Sequence, residues 1–294
     1  PGWGVVDSEP RKTITSSEVK QRLELARKRV AEANLAGTEE VTDYVISMLT
    51  TYLSRLNPTG NDEGEGEIIT YELPSLQPLC LDGPPGTGKT TIVKLMADIL
   101  GMGYLDLAVG GKSETHLIYG RGEEWESPGP GIVAKAMLES GRRDVLVMFD
   151  EAEKIKGDDL KNALGQILEA SQEGYRDEYF RQGTINKQRA GFVLTTNNYD
   201  ILPPHIRSRV TKLTLPGYND KQKLAILKNI FIKIQADAHQ TKLTLPTTDI
   251  NFAAKAENII FGKDFDALKY IVENYISEPG VREAKALIEK VIQE

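Results

Sequence analysis

The chain has 294 residues, 40% of them hydrophobic and 27% charged, with a formal net charge of −7. That size and apolar content support one large domain plus a small one, or two of moderate size, and the acidic balance argues against a dedicated nucleic-acid surface. A single cysteine, Cys80, excludes a disulfide framework and a thiolate metal cage, and His116, His205 and His239 are scattered without ligand-spaced partners. No apolar run approaches the roughly 18–20 residues that a membrane helix needs, and no signal peptide opens the chain, so a soluble, cytoplasmic protein is expected. The chain begins at Pro1 rather than methionine, as a fragment of a longer polypeptide would.

Residues 1–16 are polar, with glycine and proline, and read as a loose arm. Thr15-Ser16-Ser17-Glu18 then offers a capping box, and Val19, Leu23, Ala26, Val30 and Ala33 follow at 4-3-4-3 spacing toward Gly37. The seam is shorter than the roughly three to four heptads of a coiled coil, so it predicts a helix packed on its own domain. A second helix is expected over 39–56, with Val41, Tyr44, Val45, Met48, Leu49, Tyr52 and Leu53 on one face. Residues 57–67 are acidic and glycine-rich and predict a surface loop.

Gly83-Pro84-Pro85-Gly86-Thr87-Gly88-Lys89-Thr90 fits the P-loop pattern G-x-x-x-x-G-K-[ST] in full. The apolar Leu79-Cys80-Leu81 before it reads as a buried strand. The residues from Thr91 to Leu100 have helical apolar spacing and stop at Gly101. Strand, glycine loop and helix form the context in which this pattern binds a nucleoside triphosphate. The loop's N–H groups and the helix N-terminus, through Thr91, would cradle the phosphates. Lys89 would reach the β and γ phosphates, and Thr90 would hold Mg²⁺.

From Gly83 the chain alternates between apolar runs and helical patterns. Strands are expected over 76–81, 104–109, 145–149, 191–195 and 210–215, which predicts an α/β fold with a parallel five-stranded sheet and nucleotide at the strands' carboxyl ends. After Pro216-Gly217 the segments 221–236, 249–258, 265–275 and 282–292 all read as helices. The expected domains are therefore an N-terminal arm and helix over 1–34, an α/β nucleotide-binding domain over 35–216, and a small helical domain over 217–294. Val145-Leu146-Val147-Met148-Phe149-Asp150-Glu151 reads as a central strand delivering two carboxylates to its end. Asp150 would bind Mg²⁺, and Glu151 would polarise the attacking water.

These two motifs, followed by Phe192-Val193-Leu194-Thr195-Thr196-Asn197, resemble an AAA+ ATPase. The resemblance implies that Asn197 is the polar sensor orienting the lytic water, with the neighbouring Asn198 an alternative. It implies that Arg209, or else Arg207, in Leu202-Pro203-Pro204-His205-Ile206-Arg207-Ser208-Arg209 is an arginine finger acting on the next subunit of a ring. Glu278-Pro279-Gly280-Val281-Arg282 resembles the second sensor, with Arg282 reaching toward the phosphates, and the C-terminal domain becomes a lid.

Leu107-Ala108-Val109-Gly110-Gly111-Lys112, Ile118-Tyr119-Gly120-Arg121 and Ser127-Pro128-Gly129-Pro130-Gly131 look like the corresponding segment of Lon-type proteases. Tyr275 with Gly280-Val281-Arg282 echoes their second sensor. By that comparison Trp125 holds the aromatic pore-loop position that grips a polypeptide, although Glu126 stands where an apolar residue is usual. A Trp among Gly122, Glu123, Glu124 and Glu126 is independently expected to be an exposed aromatic on a loop. Lon proteases carry a Ser-Lys peptidase after the lid; the chain ends at Glu294, so no peptidase activity is expected from it. The expectation is a Lon-like ATPase that works as a homo-oligomeric ring, a hexamer, and uses Mg·ATP to remodel or thread a protein substrate. The alternatives are a nucleic-acid motor or loader and an ATP-gated assembly scaffold.

Overall fold

The computed structural model describes residues 16–32, 39–55, 76–169, 174–180, 184–186, 189–228, 230, 272–273 and 278–286. Its centre is a five-stranded sheet of β1 (Leu79–Asp82), β2 (Gly103–Ala108), β3 (Val145–Asp150), β6 (Ala190–Thr196) and β7 (Thr211–Thr214). The strand order is β2-β3-β6-β1-β7, and every pairing is parallel. The five expected strands are all present. The first starts at Leu79 rather than at residue 76, and β3 extends one residue further, to Asp150.

Burial explains which strand lies where. A parallel sheet is covered on both faces, so its central strands are continuously apolar. β3 is buried along its length except at Asp150, and all seven residues of β6 are buried. Phe149 and Phe192 stack with ring centroids 6.1 Å apart. The edge strands β2 and β7 alternate between covered and exposed positions. Around the sheet lie α3 (Lys89–Leu100), α4 (His116–Tyr119), α5 (Ile132–Ser140), α6 (Asp158–Ile167) and α7 (Pro204–Arg207). In α3 the residues Ile92, Val93, Met96, Ala97, Ile99 and Leu100 form the buried stripe expected of an amphipathic helix.

The expected N-terminal helices are α1 (Ser16–Glu32) and α2 (Glu39–Arg55). Ala26 of α1 is fully buried, Val19 and Leu23 are half-buried, and Arg29 pairs with Asp98 of α3. The described part of the seam thus packs within the unit that holds the sheet. Val45 and Leu49 are the buried anchors of α2. Thr15, Tyr275, the acidic segment 57–67 and the helices expected over 249–258 and most of 265–275 lie outside the described residues. Residues 220–228 and 282–286 are helical, within two of the helices expected after residue 217. No helix among the described residues is long and apolar enough to cross a membrane.

One element has no counterpart among the expected ones. β4 (Gly174–Arg176) and β5 (Thr184–Asn186) pair antiparallel, between the expected strands over 145–149 and 191–195. Three-residue strands are too short to show an alternating pattern. Beside them Asp177 is buried; its carboxylate accepts from the backbone N–H of Gly131 (2.8 Å) and of Tyr179 (3.0 Å), and the N–H of Glu178 donates to the Tyr119 carbonyl (2.7 Å). Burial pushes the Asp177 carboxyl above its ordinary value, opposed by those N–H donors. Asp177→Ala strands the Gly131 N–H in the interior, and a loss of about 1–3 kcal/mol in denaturant unfolding is expected; an unchanged midpoint would show that this anchor contributes nothing.

The chain falls into two compact units. One holds the sheet and its helices, including Lys89–Thr214; the other joins Gly83–Gly88 to Leu215–Glu294.

Candidate nucleotide site

The loop Gly83–Gly88 needs glycine for two reasons. Gly86 and Gly88 have φ of 77° and 85°, a left-handed region that side chains rarely adopt. A Cβ at Gly86 would also stand 3.1 Å from the backbone nitrogens of Val281 and Arg282. Within this unit the loop is held from both sides. The Val281 N–H donates to the Gly86 carbonyl (3.3 Å), the Tyr218 hydroxyl donates to the Thr87 carbonyl (2.7 Å), and the Thr87 hydroxyl closes the turn on the Pro84 carbonyl (2.9 Å). Arg282, named from the sequence alone, begins its helical segment against the loop, with its side chain exposed.

In the sheet unit, α3 starts at Lys89, with Thr90 and Thr91 in its first turn. Lys89 Nζ donates to Oδ1 of Asn197 (2.9 Å), just beyond the end of β6. Burial lowers the Lys89 pKa from its ordinary value, and the carboxylates of Glu153, Asp150 and Asp82 oppose that shift. Those carboxylates favour the charged form of the half-buried amine, and a charged ammonium suits a phosphate oxygen, the partner that the P-loop pattern assigns to it.

Asp150 ends β3, where its carboxylate accepts from the Thr195 hydroxyl. Glu151, the next residue, has φ 57° and ψ 46°, the only non-glycine positive φ among the described residues. A left-handed glutamate costs about 1–2 kcal/mol, and its N–H is held on Thr195 Oγ1 (3.3 Å). This sharp turn throws the Glu151 carboxylate away from the strand direction. Oε1 meets Lys154 Nζ at 2.6 Å, and Oε2 lies where a Cβ on Gly110 would come within 2.7 Å. Gly110 therefore leaves the room that this carboxylate occupies.

The two asparagines separate cleanly. Asn197 faces Lys89, whereas Asn198 Oδ1 accepts from the Asp200 N–H (3.2 Å) and caps the short 3-10 turn Tyr199–Ile201. Thr195 and Glu153 are polar partners that the sequence reading missed. The signal for Thr195 was present, since a hydroxyl two residues before the asparagine shares one face of an extended strand with it. For Glu153 no periodicity applies, because its position depends on the left-handed turn at Glu151.

Arg209 and Arg207 lie outside this cluster of contacts. Arg209 Nε donates to Glu169 Oε2 (2.6 Å), and its Nη1 donates to the His205 carbonyl. Arg207 pairs loosely with Asp200 (3.7 Å), and its Nε is buried without a hydrogen-bond partner among the described residues. Trp125 sits at the tip of a loop closed by two hydrogen bonds between Arg121 and Gly129 (2.8 and 3.0 Å), with 54% of its surface exposed. Glu123, Glu124 and Glu126 beside it are exposed as well. Cys80 is fully buried and its thiol is pushed up to about 12 by burial, so it is a packing residue and not a nucleophile.

The Thr90 hydroxyl and the Asp150 carboxylate are hard oxygen donors of the kind that Mg²⁺ prefers, with water and phosphate supplying the rest. The residues present fit that ion.

A parallel α/β sheet with a P-loop before its first helix and carboxylates at the end of a central strand defines a P-loop nucleotide-binding protein. Residues 79–218 match the family described as ATPase family associated with various cellular activities (AAA), and the chain carries an AAA ATPase domain. Its relatives narrow the class. It is 29% identical over 208 residues to Lon protease 2 of Bdellovibrio bacteriovorus, covering 69% of this chain and 24% of that protein. It is 25% identical over 269 residues to a Lon protease of Desulfovibrio desulfuricans, covering 90% and 27%. It is 26% identical over 295 residues to a mitochondrial Lon protease homolog of Caenorhabditis briggsae, covering 99% and 26%. The chain is thus similar to Lon proteases over and around its AAA ATPase domain, and it spans about a quarter of the length of these curated relatives.

Proposed function

We propose that the protein hydrolyses Mg·ATP as a homo-oligomeric ring, a hexamer, and uses the reaction to remodel or thread a polypeptide. The observation that carries the hydrolytic part is a pair of contacts at the carboxyl ends of the adjacent strands β3 and β6, Thr195 with Asp150 and Asn197 with Lys89 at the start of α3, with Glu151 turned out beside them. Thr90 and Asp150 would hold Mg²⁺, which supplies charge neutralisation on the phosphate oxygens. The N–H groups of Gly83–Gly88 bind the phosphate chain together with those of Lys89, Thr90 and Thr91 at the helix start. Lys89 leaves Asn197 for the γ-phosphate, and Asn197 then orients the lytic water. Glu151 accepts that water's proton. Arg282 and a neighbour's Arg209 stabilise charge developing on the phosphoryl oxygens. We read residues 35–216 as the nucleotide-binding α/β domain and residues 217–294 as a helical lid domain.

The exposed Trp125 supports a polypeptide as the object of this work, because an aromatic held out at a loop tip is costly unless it contacts something. Its three glutamate neighbours favour basic segments of that polypeptide. The test is ATP turnover measured with and without an unfolded basic protein. Turnover should rise with the protein, and Trp125→Ala should lose the rise. Stimulation by DNA and not by unfolded protein would favour a nucleic-acid motor instead, and a response unchanged in Trp125→Ala removes this residue from the pore.

A further inference from the structure

We infer that Glu153 is a positioning residue for the hydrolytic step, acting through the amide of Asn197. The local backbone explains how it gets there. β3 ends at Asp150, the chain turns left-handed at Glu151, and Ala152–Lys154 make one turn of 3-10 helix. That turn points the Glu153 side chain back toward the tip of β6. There a single oxygen, Oε1, accepts from both the backbone N–H of Asn197 (3.2 Å) and its side-chain Nδ2 (3.1 Å).

Two bonds from one residue onto one oxygen hold main chain and side chain together. With its NH₂ group committed to Glu153, the Asn197 amide can only present Oδ1 to Lys89, at 2.9 Å. The opposite flip would set an N–H against the ammonium and a carbonyl oxygen against the carboxylate, so charge alone selects the orientation. The sequence Lys89, Asn197, Glu153 is therefore a directed chain of donors and acceptors.

The other oxygen of Glu153 points to function rather than packing. Oε2 is buried without a hydrogen-bond partner among the described residues. A carboxylate half satisfied in this way is costly, and an apolar residue would fill the same space at lower cost. What the carboxylate provides is a strong acceptor for Asn197 and a negative field beside Lys89. Without it, Asn197 χ2 is free to rotate, and its amide no longer meets the water in one orientation.

The inference rests on the reading of Asn197 as the residue that orients the lytic water, and the experiment separates the two. Glu153→Ala, Asn197→Ala, the double variant and Glu153→Gln are compared in steady-state ATP turnover, in equilibrium binding of a fluorescent ATP analogue, and in thermal melts. Glu153→Ala should lower kcat on the order of a hundredfold while the analogue Kd stays within about twofold. Glu153→Gln, which keeps an acceptor carbonyl, should recover most of the loss. In the Asn197→Ala background the further loss from Glu153→Ala should be no more than about twofold, as expected of two residues acting as one unit. If Glu153→Ala does not fold, Glu153→Met, which keeps the volume and loses both acceptors, replaces it in the cycle with the same expectations. Asn197→Ala turning over at the wild-type rate overturns the role of Asn197 and this inference with it. An inactive Asn197→Ala with fully multiplicative effects, a Glu153→Gln as damaged as the apolar variant, or a loss that follows the melting curve overturns the inference about Glu153 alone.

Discussion

Glu151→Gln should abolish ATP turnover, by about 10²–10⁴-fold, while leaving nucleotide binding intact. The two effects separate because Glu151 and the phosphate-binding residues do different work. Lys89, Thr90 and the loop Gly83–Gly88 supply donors and positive charge, none of which the substitution touches. Glutamine keeps the volume of glutamate and the contact beside Gly110, and it leaves the backbone free to hold φ 57° through the N–H bond to Thr195. Only the basicity is lost. The ion pair with Lys154 does not alter this expectation: both side chains are about half exposed, so the pair is weak and readily exchanged for water. Phosphate release and binding of a fluorescent ATP analogue, measured on the same preparation, give the result. Normal phosphate release would show that another group takes the proton.

Arg209→Ala should cost more and in a different way. An arginine finger is worth about 10³–10⁵ in turnover, and because it would complete a neighbour's site, the variant should poison wild-type rings when mixed into them. The structure holds Arg209 on Glu169 and on the His205 carbonyl of its own chain, so the finger has to leave this partner to act. A bland alternative is that the pair merely ties α7 to the end of α6. The control is Glu169→Gln, which weakens the tie and leaves the guanidinium in place. A finger predicts an active Glu169→Gln and an inactive Arg209→Ala; a structural tie predicts equal loss of thermal stability in both and unimpaired turnover per folded molecule. Mixed assemblies whose activity falls only in proportion to the variant's share would sink the finger assignment.

The sheet was legible from the sequence because parallel strands buried on both faces are continuous apolar runs, and β3 and β6 announce themselves in that way. The short hairpin of β4 and β5 carries no such signal; its placement depends on Asp177 reaching the N–H of Gly131, 46 residues earlier in the chain. Contacts of that span leave no trace in local pattern.

Much the same division holds at the candidate site. The chain by itself determined the P-loop, the paired carboxylates Asp150 and Glu151, and the order of strand, loop and helix that gives them meaning, because each is a contiguous stretch whose spacing is dictated by phosphate and strand geometry. Only the tertiary structure decided between Asn197 and Asn198 as the partner of Lys89, committed Arg209 to Glu169, left Trp125 exposed and brought Glu153 onto Asn197. Those choices turn on a single left-handed residue and on parallel register between strands distant in sequence. Neither has a local signature, since both are settled by how the buried sheet packs.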